Sequence, residues 1–228
     1  MYQQVLQYCG DITRHANVNP GQGLSLSCAR PSSPSRGQLE AFIHQGFAKA
    51  YGADIHHFMP MLLAIKGQQY QAALGLRSGR SPLFIQQYLS SDLLDCLAQK
   101  GIYTQPERVA EVGNLYGLSR RYTLPLFMAM AVGLYLNHYT HLLFCGTHHL
   151  IALLAKEGVK LTYLTDADPA RLAPSNDDWG SYYQTQPQVM ALDLNDAMLP
   201  MLERDLLPGL FASFCADIQL LSNELRAL

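Results

Sequence analysis

Charged residues are scarce in this sequence. Asp, Glu, Lys and Arg make up 15% of its 228 residues, whereas they make up about 25% of an average soluble protein. The formal net charge is −2, so the chain as a whole lacks the basic surface that nucleic-acid phosphates require of a partner. We therefore expect no nucleic-acid partner. Hydrophobic residues make up 49%, which allows a substantial core and argues against a disordered chain.

A long apolar run is also lacking. The most hydrophobic window, residues 124–144, loses its continuous apolar character after Leu136, whereas a bilayer span needs about 20 apolar residues. We interpret this window as a buried helix followed by a strand, and we expect no transmembrane segment. The first residues show no basic stretch followed by an apolar one, so we expect no secretory signal and a cytoplasmic protein.

Cysteine and histidine motifs are absent as well. The five cysteines are dispersed without CxxC spacing, which is typical of reduced thiols rather than a disulfide framework. The histidines show no HxH or HExxH spacing, so we expect no metal site. Cys145, followed by His148 and His149, suggests a Cys/His nucleophile. The alternative is a buried cysteine that packs as a small hydrophobic residue.

Hydrophobic periodicity predicts a mixed α/β fold with helices on both faces of a sheet. The predicted strands are 24–30, a hairpin of 61–65 and 70–76, 108–115, 140–147, 160–165 and 188–194. The predicted helices are 37–51 with Ser35 as N-cap, the end of an initially extended segment 83–101 with a cap at Ser91 and Asp92, 119–138 with Pro125 in its first turn, and 148–158. An amphipathic helical tail from 195 is expected to be interrupted at Pro208 and Gly209. We divide the chain into a loose arm (1–23), one domain (24–195) and a helical extension (196–228).

Six stretches carry a resemblance to a known family. They are "FMPMLLAI", "AALGLRSGRSPLFIQQYL", "VAEVGNL", "LLFCGTHHL", "LTDADPARL" and "WGSYYQTQPQVMA", within residues 38–193. Here the chain resembles the thermostable hemolysin family, which looks like a branch of the GNAT acyltransferases close to acyl-homoserine-lactone synthases. The resemblance implies a mostly antiparallel central sheet and transfer of an acyl group from a thioester. The family name instead implies lytic activity.

The chain departs from the family pattern at two places. Gln86 stands where the family usually has an acid in "LFxEQYL", and the turn "GLSRRYT" has only Gly117 where GNAT proteins usually have Q/R-x-x-G-x-G/A. The second departure fits the synthase-like branch, in which an acyl carrier protein often delivers the acyl chain. We therefore expect no tightly bound cofactor, with acyl carrier protein or acyl-CoA as co-substrate.

Glu111 is the candidate general base of this reaction. N-acyl transfer needs a group that takes a proton from the attacking amine, and Glu111 stands in the apolar run "VAEVGNL". Burial raises the pKa of a carboxyl toward the range of a useful base. The alternative is a structural acid paired with an arginine such as Arg77 or Arg108.

The next residues are candidates for holding the thioester. As the resemblance implies, a strand opens at Gly113 and Asn114, so that Val112, Gly113 and Leu115 bind the pantetheine arm and the Asn114 amide donates to a carbonyl. A plain turn is the alternative, because Gly-Asn is common in turns.

Two arginines begin the predicted buried helix. Arg120 and Arg121 could hold the phosphopantetheine phosphate together with helix N-terminal amides. The alternative is a solvated helix start, although arginines there oppose the helix dipole.

The remaining candidates concern the substrate. Trp179, Tyr182 and Tyr183 in "WGSYY" are predicted to wall an acyl or acceptor pocket, or else to anchor their own loop. Gln86 and Arg77 are assigned to substrate binding, and Arg77 with Arg80 could face an acidic carrier protein.

The sequence therefore predicts an N-acyltransferase in which an amine, such as that of an amino acid, attacks the thioester directly. A membrane-active hemolysin-type protein and a non-catalytic relative are the alternatives. The helical tail lacks a basic face, which disfavours direct membrane binding, and it could form a homodimer.

Overall fold

The computed structural model describes residues 3, 5, 23–203, 206–226 and 228. The strands are β1 (Ser25–Ala29), β2 (Met61–Lys66), β3 (Tyr70–Ser78), β4 (Val109–Gly117), β5 (His141–Gly146), β6 (Thr162–Asp166) and β7 (Gln188–Asp193). The α-helices within these residues are α1 (Arg36–Tyr51), α2 (Leu93–Gln99), α3 (Arg120–Leu136), α4 (His148–Lys156), α5 (Leu194–Glu203) and α6 (Leu206–Leu225). A 3₁₀ helix, Phe84–Tyr88, lies between β3 and α2. The predicted arm of residues 1–23 lies almost entirely outside the described part.

The seven strands form one sheet in the order β1-β2-β3-β4-β5-β7-β6. Each neighbouring pair is antiparallel except β4 and β5, which run parallel. The prediction of a mixed, mostly antiparallel sheet is therefore confirmed. The strand β4, which carries Glu111, therefore pairs antiparallel with β3 on one side and parallel with β5 on the other.

One face of the sheet is covered by α3, and α3 is covered in turn by α6. Every residue of α3 from Leu126 to Tyr135 is buried, which explains why its sequence is apolar nearly all round. Leu221 and Leu225 of α6 pack over Gly133. Asn137 Nδ2 donates to the carbonyl of Ser222 over 2.8 Å. The tail thus packs on its own domain, while a homodimer through these helices stays a prediction.

The opposite face is covered by α1 and, further along, by the 3₁₀ helix and α2. Leu39, Ile43 and Phe47 of α1 are buried against Leu62 and Ala73 of the sheet. A separate apolar cluster under the 3₁₀ helix and α2 joins Ile85 and Leu97 to Leu143 of β5. Helices therefore lie on both faces, as predicted. No helix of the described residues combines the length and apolar character that a membrane span requires.

Three local predictions are wrong, the Ser35 cap is correct only in position, and the cap at Asp92 is confirmed. Pro125 lies inside α3 beyond its first turn. Because proline has no N–H, the carbonyl of Arg121, an exposed residue, lacks its usual helical hydrogen bond. α6 continues through Pro208 and Gly209, and its backbone departs from helical geometry at Phe214 instead. Pro208 is tolerated because it falls in the first turn of α6.

Ser35 occupies the N-cap position of α1 without a side-chain bond, whereas Asp92 caps α2 by accepting from Leu94 N.

The third error concerns the segment before α2, which was expected to begin in extended form. It is the 3₁₀ helix Phe84–Tyr88. Its first two N–H groups, those of Phe84 and Ile85, donate to the carboxylate of Glu111. Glu111 lies 27 and 26 residues away from these donors in the chain, so no sequence neighbour signals the two bonds.

Gly46 of α1 tests the packing of this helix on the sheet. A Cβ on Gly46 would lie 2.2–2.5 Å from ring atoms of Tyr116. We expect Gly46→Ala to lower the free energy of unfolding by about 1–3 kcal/mol, because the ring must move. Gly37 of the same helix has no atom within 4 Å of such a Cβ. Gly37→Ala should therefore leave stability unchanged or raise it by up to about 1 kcal/mol. Urea denaturation of both variants measures the contrast, and equal losses would contradict this packing.

Candidate active site

The sheet opens between its two parallel strands. β4 and β5 are paired only from Val109–His141 to Val112–Phe144. Among the described residues, positions 113–117 of β4 have no partner in β5. The predicted opening at Gly113 and Asn114 is therefore present. It leaves backbone groups of one central strand accessible to a ligand.

A β-bulge shapes the opened segment. On the β3 side the register passes from Gly75–Gly113 to Ala73–Tyr116, so that two residues of β4, Asn114 and Leu115, lie opposite the single residue Leu74 of β3. Asn114 has a φ of 51°, in the left-handed region that asparagine tolerates better than most residues. The interpretation of Gly113 and Asn114 as a plain turn is wrong, because both lie within a continuous strand.

The opening leads into a cavity of about 160 Å³. The predicted site residues that line it are Arg77, Glu111, Val112, Gly113, Asn114, Leu115, Trp179, Tyr182 and Tyr183. Other lining residues, which were not assigned to the site from the sequence, include Phe47, Tyr51, His57, Phe58, Met59, Phe84, Tyr88 and Asp177. Most of the predicted site therefore converges on one cavity.

Glu111 is the buried acid of this cavity. Its residue surface is 1% exposed. Its two carboxylate oxygens accept from the backbone N–H groups of Phe84 and Ile85 over 2.8 and 2.9 Å. Within the described chain it makes no ion pair, so its interpretation as an acid directly paired with Arg77 or Arg108 is wrong.

The pKa of Glu111 reflects a competition in which burial dominates. Burial raises the pKa of the carboxyl from 4.5 to about 7, while the N–H groups of Phe84 and Ile85 and the charge of Arg77 act in the opposite direction. A carboxyl with such a pKa exchanges its proton near neutral pH, which is the property required of a general base.

The amide of Asn114 holds the cavity wall in place. Its Oδ1 accepts from Met59 N over 2.8 Å, and its Nδ2 donates to the carbonyl of His57 over 3.3 Å. Both ends of the amide are therefore engaged by backbone of the segment before β2. Asn114 therefore positions this segment, while its donation to a substrate carbonyl stays a prediction.

The same segment is held from the other side by Asp177. This carboxylate accepts from His56 N and His57 N, and its second oxygen lies 3.0 Å from His57 Nδ1. A backbone bridge between Asp54 and Asp178 adds to the connection. These contacts tie the loop that carries Trp179 to the segment that Asn114 holds.

Aromatic rings form one wall of the cavity. Trp179 lies next to Tyr182 and Tyr183, with ring centroids 5.6 and 5.9 Å apart. Phe47 and Phe84 contact Trp179 from α1 and the 3₁₀ helix, and the hydroxyls of Tyr88 and Tyr183 are 2.6 Å apart. The three predicted aromatic residues thus line the cavity and also anchor their own loop. The pocket and the loop anchor that the sequence suggested as alternatives are therefore the same packing.

Cys145 lines the cavity but is a poor nucleophile. Burial raises the pKa of its thiol to about 12, so it is not a thiolate at neutral pH. His148 and His149 are exposed and are not among the residues that line the cavity. The described part of the chain also contains no group of three or more His, Cys, Asp or Glu side chains arranged to hold a metal ion.

Three predicted residues lie outside the cavity. Gln86 Oε1 accepts from Leu83 N over 2.6 Å, so this side chain caps the 3₁₀ helix. Arg120 pairs with Glu157 over 2.8 Å, and Arg121 is exposed with its guanidinium 5.8 Å from the ring centre of Tyr122. The anion site at these two arginines stays a prediction.

The residues that were missed had only weak signals in the sequence. Phe47 and Tyr51 are four residues apart, which places them on one helix face, but this spacing equally describes a buried face. Tyr88 and Met59 stand in segments without periodicity. Only the sheet opening brings these residues to Glu111.

Comparisons with known proteins agree with this architecture. A family model described as thermostable hemolysin matches residues 29–198. No curated protein sequence matches the chain. The AHL synthase LasI is similar in structure, with a TM-score of 0.54 and 13% identity over 79% of this chain and 95% of LasI. The CoA-dependent acyl-homoserine lactone synthase BjaI, with SAM and isopentyl-CoA, has a TM-score of 0.51 and 12% identity over 79% and 89%. FeeM, an N-acyl amino acid synthase from uncultured soil microbes, has a TM-score of 0.50 and 13% identity over 78% and 95%. This chain therefore shares its fold with these synthases.

The raised pKa of Glu111 predicts a pH-dependent stability. A carboxyl whose folded-state pKa lies above its unfolded value contributes stability below pH 4.5 that is lost as the pH rises through about 7. Relative to Glu111→Gln, the wild type should therefore lose roughly 3 kcal/mol of unfolding free energy across this interval. Urea denaturation of both proteins at several pH values measures the difference, in which the other titrating groups cancel. A difference that does not vary with pH would contradict the assignment.

Variants of Asn114 separate its backbone role from its side-chain role. Both Asn114→Gly and Asn114→Ala leave Met59 N without its acceptor, which should cost about 1–3 kcal/mol of unfolding free energy. Alanine must also adopt the left-handed conformation, so Asn114→Ala should be less stable than Asn114→Gly by about 1 kcal/mol. Denaturation midpoints test this order. Equal stability of the two variants would show that the bulge does not constrain this position.

Proposed function

The chain belongs to the thermostable hemolysin family, and from this premise we propose that it is an N-acyltransferase. It moves an acyl group from a thioester to the amine of a small metabolite. The observation that carries the proposal is the buried carboxylate of Glu111 at the point where β4 separates from β5. A proton acceptor and an opened strand at one position provide what direct transfer to an amine requires.

Glu111 acts on the amine. Protonated amines do not attack carbonyls, so a group in the cavity must accept the proton, and a carboxylate with a pKa of about 7 does so near neutral pH. The freed nitrogen attacks the thioester carbon, the new N–C bond forms, and the C–S bond breaks to release the thiol. The thiol of Cys145 is too basic to serve as a covalent carrier, which favours direct attack.

The opened segment of β4 is proposed to hold the thioester. Backbone N–H groups near Gly113 and Leu115 are suited to donate to the thioester oxygen as it gains charge. Positions 113–117 lead to the start of α3 at Arg120, with only Leu118 and Ser119 between. The arm of a thioester that lies along this segment would bring its phosphate toward Arg120 and Arg121. Arg120 is half exposed, so its ion pair with Glu157 is weak enough to exchange for a phosphate.

The thioester carrier is proposed to be an acyl carrier protein or coenzyme A. BjaI is a CoA-dependent synthase, and it shares the fold of this chain at low identity. The two donors differ in the protein surface that they bring to the cavity mouth. Offering acyl-CoA and acyl carrier protein in parallel identifies the one that this chain accepts.

Substitution of Glu111 tests the proposed reaction. We expect new N-acyl products by mass spectrometry when the purified protein receives an acyl thioester and a mixture of amines. Glu111→Gln should lower kcat by about 10²–10⁴-fold, because general base catalysis contributes that much. In the wild type kcat/KM should rise with pH to a plateau above about 7, as the carboxyl loses its proton.

Glu107→Gln is the matched control, because Glu107 is an exposed acid on the same approach to β4. It should retain wild-type activity, and circular dichroism should show that both variants are folded. Absence of N-acyl products with either thioester would refute the proposal. Leakage of lipid vesicles without any thioester would instead support the lytic activity that the family name describes.

A further inference from the structure

Arg77 is a charged side chain of the cavity that the acyl transfer itself does not use. It lines the same cavity as Glu111. Its Nη1 donates to the carbonyl of Pro82 over 3.1 Å. Within the described residues it forms no ion pair with an acid. A guanidinium has five N–H donors, so most of its donors are available to a ligand.

Arg77 and Glu111 are direct neighbours across two strands. Arg77 of β3 is the register partner of Glu111 of β4, so their side chains leave the sheet on the same face. Side chains of opposite charge in such positions commonly bond to each other. Here Glu111 bonds instead to the N–H groups of Phe84 and Ile85.

The connection after β3 keeps the two charges apart. It supplies the Pro82 carbonyl to Arg77 and the two backbone N–H groups to Glu111. As a result, a positive and a negative group face one cavity side by side, each held by backbone rather than by the other. This is the charge pattern that a small zwitterion would complement.

We propose that the acceptor amine is that of an α-amino acid, whose carboxylate binds the guanidinium of Arg77 while its amine faces Glu111. In an α-amino acid one carbon joins the two charged groups, which suits two side chains on adjacent strands. Guanidinium groups bind carboxylates through two parallel hydrogen bonds, and this fixes the direction of the amine. The acyl transfer rests on the proposed function, whereas the binding of the amino acid does not.

The cavity also indicates which side chains to test first. The rings of Trp179, Tyr182 and Tyr183 form its wall, and aromatic surfaces favour apolar or aromatic groups. Phenylalanine is therefore the first probe. Phenylalaninamide and phenethylamine are its matched partners, because they keep the amine and the ring and lack the carboxylate.

The reaction with this acceptor balances without another reactant. The ammonium group loses a proton to Glu111, and its nitrogen forms an amide bond with the acyl carbon. The C–S bond breaks, its electron pair remains on sulfur, and the resulting thiolate receives the second proton, which the nitrogen loses as the amide forms. The carboxylate takes no part and stays on Arg77, so the product is an N-acyl amino acid and a free thiol.

Binding can be measured without any thioester. The sequence contains one tryptophan, and this residue, Trp179, lines the cavity. Titration of its fluorescence should show that phenylalanine binds at least about 10-fold more tightly than phenylalaninamide or phenethylamine, since hydrogen bonds between charged groups are worth that much. Equal binding of the three probes to the wild type would overturn the proposal without any variant.

Arg77→Gln should remove this preference, so that the three probes bind alike, and Arg77→Lys should restore part of it. Arg80→Gln is the matched control, because Arg80 is exposed near the same loop and does not line the cavity. It should keep the wild-type preference. An Arg77→Gln variant that weakens all three probes by the same factor would also overturn the proposal.

Steady-state kinetics show which anion of the reaction Arg77 binds. The two candidates are the carboxylate of the amino acid and the phosphate of the thioester arm. Arg77→Gln should raise the KM for phenylalanine about 10-fold or more and leave the KM for the thioester unchanged. A rise in the KM for the thioester alone would assign Arg77 to the phosphate and overturn the proposal. If phenylalanine binds as expected but is never acylated, the amino-acid site stands and the proposed acyl transfer fails.

Discussion

The carboxylate of Glu111 and the two backbone N–H groups that donate to it form the contact on which the cavity depends. An ionised carboxylate in an apolar interior is costly, and hydrogen bonds to the charged form offset part of that cost. Here two such bonds are present, yet burial still raises the pKa to about 7. The acid is thus stabilised enough to exist as a carboxylate and destabilised enough to accept a proton near neutral pH. The same bonds attach the first turn of the 3₁₀ helix Phe84–Tyr88 to β4, and Phe84 and Tyr88 of this helix line the cavity.

The β-bulge at Asn114 provides the second constraint. A bulge increases the local twist of its strand, and β4 separates from β5 immediately before it, after Val112. Asn114 then uses its amide to hold the segment around His57 and Met59, and Asp177 holds the same segment from the opposite loop. Three parts of the chain that are distant in sequence therefore meet around the opening. Their hydrogen bonds leave the aromatic wall little freedom to collapse into the cavity.

The departures from the family pattern have different consequences. At position 86 an amide replaces the usual acid, and its Oε1 still accepts from Leu83 N. Because a backbone N–H needs only an acceptor, this replacement leaves the 3₁₀ helix intact and does not reach the cavity. The turn with only Gly117 is different, since it precedes the helix start at which a phosphate would lie. Arg120 and Arg121 supply positive charge there, where GNAT proteins use glycine backbone, and Glu157 balances one of these charges.

The sequence predicts the element order, the buried helix α3, the acid in a strand and the residues at which the sheet opens. The first three features follow from local patterns: alternation of two residues for strands, 3.6 residues for helices, and an isolated carboxylate within an apolar run. The opening of the sheet was implied by the resemblance to the thermostable hemolysin family. Most elements were therefore predicted to within a few residues, and Glu111, Gly113 and Trp179 were assigned to one site.

How these residues act depends on tertiary contacts between segments that are distant in the sequence. Phe84 N donates to Glu111, which is 27 residues away in the chain, and Asn114 bonds to backbone 55 residues away. α6 passes through Pro208 and Gly209, although this pair predicts an interruption. The proximity of Arg77 to Glu111 depends on the pairing register of β3 and β4. Contacts of this kind arise from packing between distant segments, and a local pattern of residue types carries no information about which distant groups will meet.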